Sequence, residues 1–447
     1  MNLLTEKIKP LYLKYLGAAF GSACISSIYG LVDMAMVGQY HGPSGTAAMS
    51  VIMPIYNIIY SLGLFMGIGG SVLYSTEKGK GTRRENEFFS TALWGTVILA
   101  LAAWAAILAF EVPLLRLFGA DEALLPLCRR YLLPIKIAVP VFVFNQMIAA
   151  FLRNDNAPGL AMAGVLCGGL FNIFGDYFFV FTMDMGIFGA GLATAIGSCI
   201  TLLTMLAHFI SRKNTLKVTK ITRLPMKARL TLTTGFSTFF IDLAMGIITM
   251  LFNRQVMHYL GTNALSVYGV IMTISQFAQC CAYSVGQASQ PILSINFGAR
   301  NAGRIREALK YALYTSALFG VIWTALVFMF PTGFIRIFMK PTAEVLQIAP
   351  AIMRCYGISF LLLPLNIFST YYFQSLMRPA ASFIVSVGRG LVVSGVLITL
   401  LPALFGADAL WFSMPVTEAI IAVYVIFMMI RYTGKLTDGS FYSASAL

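Results

Sequence analysis

Polar residues punctuate this chain instead of alternating with apolar ones. Runs of predominantly apolar residues recur along its whole length, and about 20 such residues are enough to cross a hydrocarbon core. The runs predict helices near residues 11–38, 47–74, 89–111, 129–152, 159–183 and 187–211. After a polar, basic stretch, six more follow near 231–258, 264–295, 308–331, 346–376, 380–403 and 408–431. Only segments that satisfy their own backbone hydrogen bonds can lie in lipid. The pattern therefore predicts an all-α integral membrane protein with about twelve transmembrane helices. It divides into a first lobe over residues 1–211, a connector over 212–230 and a second lobe over 231–447.

Composition agrees with this reading. Hydrophobic residues make up 58% of the chain and charged residues 11%, where a globular protein carries about a quarter charged. The formal net charge of +14 would suggest nucleic acid in a soluble protein, but here it sorts by topology. Of the 31 Lys and Arg, 22 fall on the side of the N-terminus and connector. Five fall on the other side (Arg116, Arg129, Arg130, Arg336 and Lys340), and Lys136, Arg254, Arg354 and Arg389 lie within helices. Positive charge collects in cytoplasmic loops, so both termini are expected in the cytoplasm of a multi-pass plasma-membrane protein. Nucleic acid is not needed to explain the charge, and the connector reads as a solvated cytoplasmic loop. The first apolar stretch, 15–37, is too long for the core of a cleavable signal and carries Asp33. The seven cysteines show no metal or redox spacing and read as small buried hydrophobes.

The two lobes repeat one another. Gly42 and Gly261 stand 219 positions apart, and at that offset Val51-Ile52-Met53-Pro54-Ile55 faces Val270-Ile271-Met272-Thr273-Ile274. Without a gap, Tyr40 pairs with Tyr259, Gly67 with Gly286, Ser75 with Ser294 and Gly79 with Gly298. Further on, Asn145 and Pro158 pair with Asn366 and Pro379 at an offset of 221. Six helices per half is an even number, so both halves enter from the same side and are parallel repeats, an arrangement of transporters.

Acidic residues inside hydrocarbon are the most informative positions. Each costs on the order of 2.5–3.5 kcal/mol at a helix centre and therefore faces a cavity or a partner. Asp33, Asp176, Asp242 and Glu418 are predicted within the membrane, and Asp184 and Asp408 at solvated helix ends. Asp33 and Asp176 lie at matching depths in the outer half of the first lobe. Asn172 precedes Asp176 by four residues and shares its helix face, and Thr194 begins the sixth helix at a similar height. Two carboxylates, an amide oxygen and a hydroxyl suit Na⁺, or a carboxylate pair sharing a proton. The alternative is a set of interhelical hydrogen bonds with no bound ion. Asp242 could take a proton, bind a cationic substrate, or pair with Arg354 or Arg389. For Glu418, an ion pair with Arg389 weighs as much as a functional role. No phosphate-cradling loop, nucleophile arrangement or HExxH is present, so no enzymatic activity or cofactor is expected and an ion gradient is the expected energy source.

The chain resembles the multidrug and toxic-compound extrusion (MATE) transporters. The first helix ends Leu31-Val32-Asp33-Met34-Ala35-Met36-Val37-Gly38, which looks like that family's acidic motif. Residues Val285-Gly286-Gln287-Ala288-Ser289-Gln290-Pro291-Ile292-Leu293-Ser294-Ile295-Asn296-Phe297-Gly298-Ala299-Arg300 are close to its most specific signature. Leu404-Phe405-Gly406-Ala407-Asp408-Ala409-Leu410-Trp411 resembles its last extracellular turn, with Asp408-Ala409 in place of a glycine-containing pair. The resemblance implies a V-shaped pair of six-helix lobes, alternating access, and efflux of cationic or amphipathic organic compounds in exchange for Na⁺ or H⁺. It also implies a cation-coupling role for Asp33, Asn172, Asp176 and Thr194, with Asp242 as an imperfect counterpart of a helix-seven acid. The tenth-helix acid of some members is missing between Leu361 and Ser375. A flippase for lipid-linked or polysaccharide precursors is the other reading, though it would want more intramembrane cations. Membrane lipids are the expected surroundings, and a monomer is expected because each half supplies the other's cleft wall.

Overall fold

The computed structural model describes residues 3–338, 341–438 and 441, with Pro43 and Asp242 described by their backbone alone. Among these residues the regular structure is entirely helical, and twelve segments are long and apolar enough to cross a membrane. In the first half these are α1 (Ile8–His41), α2 (Pro43–Lys80), α3 (Glu85–Leu117), α4 (Leu125–Asn154), α5 (Pro158–Tyr177) and α6 (Ile187–Leu206). The second half continues with α7 (Leu224–Tyr259), α8 (Gly261–Gly298), α9 (Ala302–Met329) and the short α10 (Pro331–Phe338). The tenth span joins α11 (Ala343–Gly357) to α12 (Leu363–Ser375), and the eleventh joins α13 (Pro379–Val387) to α14 (Val393–Phe405). The last is built on α15 (Ser413–Gly434).

Each expected span is present, and most run several residues past the apolar stretch, because helical hydrogen bonding continues into the polar flanks. One short element was not expected. Helix α10 has eight residues, too few for a span.

The chain divides into two compact units. Unit 1 is Gly17–Asp242 with the first residues up to Glu6; unit 2 is Lys7–Leu16 with the chain from Leu243 onward. In unit 1, α2 packs on α4, and α5 on α6; in unit 2, α8 packs on α12. The repeat recurs in local detail. Gly42 and Gly261 take left-handed backbone at φ +66° and +78° where consecutive helices turn within one or two residues, a conformation cheap only for glycine. The Asn145 amide donates to the Ser198 carbonyl at 3.0 Å in unit 1, and the Asn366 amide to the Glu418 carbonyl at 2.9 Å in unit 2.

The connector departs from the sequence expectation: its backbone is tied down along the start of α3. The Lys217 N–H donates to Asn86 Oδ1 (2.9 Å), the Thr219 N–H to Ser90 Oγ (2.8 Å) and the Thr222 N–H to Glu87 Oε2 (2.7 Å). Lys227, expected among solvated cations, is buried in an ion pair with Glu87. Thr215 is held by Asp155, whose carboxylate also accepts from Lys78 (2.9 Å) and lies 2.8 Å from His208 Nε2. A buried carboxylate without partners would cost several kcal/mol, so each acid folds the strap around itself to be satisfied.

The cysteines also depart in part. Cys128, Cys280 and Cys281 are buried as expected, but Cys167 is exposed and Cys24, Cys199 and Cys355 are half-buried.

Candidate functional site

Unit 1 gathers four of the residues singled out above. The gathering begins with the small faces of α5 and α6. A side chain on Gly197 would meet the Gly168 carbonyl oxygen at 2.7 Å, so glycine at both positions lets the backbones approach closely, as small residues do between membrane helices. That approach brings Asn172 of α5 to Thr194 of α6, the Asn172 amide donating to Thr194 Oγ1 at 3.1 Å. The same amide donates to Asp176 Oδ1 at 3.4 Å, one turn along α5. Thr194 Oγ1 in turn donates to Asp33 Oδ2 of α1 at 3.5 Å. Directly after Asp176 and Tyr177, α5 loosens into a π-helical turn over Phe178–Thr182, a distortion often found at functional sites.

A fifth residue closes the chain. Tyr131 of α4 donates its phenol to Asp33 Oδ2 at 2.7 Å. Sequence reasoning missed it, since a tyrosine near the end of a span is ordinary for a membrane interface. All five residues are buried, with Asp176 at 0% exposure and Asp33 at 5%.

The donors do not cover the acceptors. Among the described residues, Asp33 Oδ1, Asn172 Oδ1 and Asp176 Oδ2 are buried without a hydrogen-bond partner. Three unsatisfied oxygens on three neighbouring side chains are costly in hydrocarbon. Two buried carboxylates in one cluster, with no salt bridge to either among the described residues, call for a positive species. A hard cation would take the three oxygens as ligands, and a proton would neutralise one carboxylate and supply a donor.

At the His41 end of α1, two further contacts join α1 to the segment that leads into α6. The Ile187 N–H, first in α6, donates to His41 Nε2 at 3.0 Å, and the Tyr40 hydroxyl donates to exposed Asp184. Asp184 and Asp408 are exposed, in line with solvated helix ends.

Asp242 lies on α7, and its side chain falls outside the described residues. Glu418 of α15, fully buried in unit 2, is paired with Arg389 Nε at 2.7 Å and accepts from the Asn366 amide at 2.6 Å. The ion-pair alternative is therefore the observed one. Arg389 sits on a second π-helical turn, Gly388–Val392. Arg354 is exposed and donates to the Phe328 carbonyl at 3.2 Å.

Comparison with known proteins follows the same lines. The family model MatE matches residues 18–178 and 236–400, two segments whose starts lie 218 positions apart, close to the offset of the internal repeat. The multidrug export protein MepA of Staphylococcus aureus (strain NCTC 8325 / PS 47) is 24% identical over 416 residues, covering 92% of this chain and 91% of MepA. MepA of Staphylococcus saprophyticus is 24% identical over the same shares. Among solved structures, an outward-facing multidrug resistance MATE family transporter of the MOP superfamily superposes with a TM-score of 0.89 at 19% identity. That likeness covers 97% of this chain and 98% of that one. A MOP superfamily transporter from Pyrococcus furiosus gives 0.90 at 19% identity, covering 98% of each chain. These structural likenesses show the fold.

Proposed function

Because the chain belongs to the MATE family of transporters, we propose that it is a secondary active exporter of amphipathic or cationic organic compounds. It exchanges them for Na⁺ or H⁺ by alternating access, and Asp33, Asn172, Asp176 and Thr194 bind the coupling ion. The observation that carries this reading is the trio of unpartnered buried oxygens on Asp33, Asn172 and Asp176. Kinship to MepA, a multidrug export protein, supports the substrate class, and twelve apolar spans support a multi-pass membrane protein.

In the cycle we propose, a cation entering from outside occupies the cluster, replaces the missing donors and tightens α1 against α4, α5 and α6. The substrate-competent state follows when the ion leaves inward. One charge crossing 100 mV releases about 2.3 kcal/mol. At about 1.4 kcal/mol per tenfold, that supports a gradient of roughly fifty-fold for a neutral substrate without ATP. A monovalent organic cation exchanged one for one moves no net charge and is driven by the ion's concentration gradient alone. The charge asymmetry supports a cytoplasmic side for the termini and the connector.

The test is efflux of a fluorescent organic cation from proteoliposomes under separately imposed Na⁺ and pH gradients. One of the two gradients should drive transport, and Asp33→Asn and Asp176→Asn should each abolish it while the protein still inserts. If both variants build a full substrate gradient, the ion does not bind at this cluster.

A further inference from the structure

The connector carries unmatched positive charge on a fixed backbone. Residues 211–230 contain no Asp or Glu. Its cations divide by burial. Lys227 is consumed by Glu87, whereas Arg212, Lys213, Lys217, Lys220, Arg223 and Arg229 are exposed. Of the acids at the strap, Asp155 is matched by Lys78 and Glu87 by Lys227, while Glu85 at the start of α3 keeps one oxygen without a partner, one carboxylate against the exposed cations of the connector. Interleaved with these cations in the chain are exposed aliphatic side chains: Ile210 at 90% exposure, Val218 at 62%, Leu224 at 50% and Met226 at 46%. Four of unit 1's side chains, Asn86, Glu87, Ser90 and Asp155, hold the strap's backbone N–H groups in place. Leu216 is buried as an apolar peg.

A free loop of this composition would need only water. A strap fixed by buried acids, with lysines and aliphatic side chains both left outward, is built like an interfacial segment. Aliphatic groups enter the headgroup boundary while cations meet phosphates. We infer that the connector is a docking surface for anionic phospholipid headgroups of the cytoplasmic leaflet, seating the start of α7 on the membrane surface. The inference rests on the cytoplasmic placement proposed above and is independent of the coupling ion. A transport assay with no ion dependence would leave it untouched, and its own failure would leave the coupling reading intact.

The experiment uses the full chain in nanodiscs of phosphatidylcholine, with and without phosphatidylglycerol. The readouts are thermal midpoint and lipid retention by native mass spectrometry. The variant is Lys213→Gln/Lys217→Gln/Lys220→Gln, which leaves every backbone anchor in place, so folding is preserved. A cation near a charged surface contributes about fivefold in affinity, so losing three should weaken phosphatidylglycerol binding roughly a hundredfold. The rise in midpoint seen with phosphatidylglycerol should largely vanish in the triple variant and persist in Arg336→Gln, a charge change on the opposite side. An equal rise in wild type and triple variant overturns the assignment, as does an equal loss in Arg336→Gln. Inorganic phosphate added in neutral detergent should not reproduce the shift. If it does so in full, the strap recognises a soluble anion and the lipid surface is wrong.

Discussion

Tyr131 and Thr194 converge on one oxygen of Asp33. The phenol and the Thr194 hydroxyl both donate to Asp33 Oδ2, while Oδ1 has no partner. The carboxylate therefore presents one committed oxygen and one open oxygen. A hydrogen bond to a charged group contributes about 1.5–3 kcal/mol, so an incoming cation gains Oδ1 freely but competes with Tyr131 for Oδ2. Replacing Tyr131 by Phe removes that competitor and preserves the ring's packing. The expected outcome is a coupling ion that half-saturates transport at roughly tenfold lower concentration, with maximal rate reduced because release is slower. Initial-rate measurements across a series of ion concentrations check this. Unchanged half-saturation would mean that Oδ2 is not a ligand. Loss of all coupling, as expected for Asp33→Asn, would mean that Tyr131 is indispensable to the site.

At the scale of elements, the connector's attachment to unit 1 depends on a carboxylate whose titration can be followed. Burial raises the Asp155 pKa, but the hydrogen bond with His208, the Lys78 charge and the Thr215 donors outweigh it and hold the group down at about 2. An unfolded Asp titrates near 3.9. The stabilisation is therefore complete above about pH 4 and is lost as pH falls towards 2, amounting to on the order of 2–3 kcal/mol. Protection of the amides of residues 214–222 against hydrogen exchange should stay flat from neutrality down to about pH 4 and fall below it. Asp155→Asn should expose Lys213 and Lys217 to trypsin at neutral pH at least tenfold faster. Protection that already falls near pH 6 would mean that the Asp155 carboxylate does not carry the attachment. Here the sequence and the structure part company for a physical reason. Transmembrane helices are legible because each is a local run of apolar side chains, and Asp33, Asn172, Asp176 and Thr194 are legible as polar interruptions of such runs. The strap is not legible, because its donors and acceptors are separated by 60 to 135 residues and only the packing of α3 and α4 brings them together. Tyr131 was missed for a related reason, since nothing in its own helix marks it as different from an interfacial tyrosine.

Across the whole molecule, duplication makes the absence of symmetry informative. At the repeat offsets of 219 and 221, Asp33, Asn172 and Asp176 of unit 1 correspond to Phe252, Val393 and Leu397 of unit 2. Phe252 is fully buried in an aromatic cluster. It stacks on Tyr268 at 4.5 Å between ring centroids and lies 6.0 Å from Tyr356 and 5.9 Å from Trp411. Unit 2 thus has aromatic packing where unit 1 has Asp33, and aliphatic side chains where it has Asn172 and Asp176. Its buried carboxylate, Glu418, already has a cation in Arg389. On the proposed reading, the described residues offer an exchangeable ion one set of ligands per chain. Saturation binding of the coupling ion to the purified protein should therefore approach one equivalent, fall to none in Asp33→Asn and remain at one in Asp242→Asn. Arg389→Met/Glu418→Leu, which removes both charges together, should also leave one equivalent, because a buried pair exchanged for apolar side chains costs little. Arg389→Met alone leaves Glu418 buried and unpaired, a cost of about 3–5 kcal/mol, and should create a second equivalent or fail to fold. Two equivalents in the wild type, one of them lost in Asp242→Asn, would place a coupling ion on α7 and show that the duplicated halves share the work.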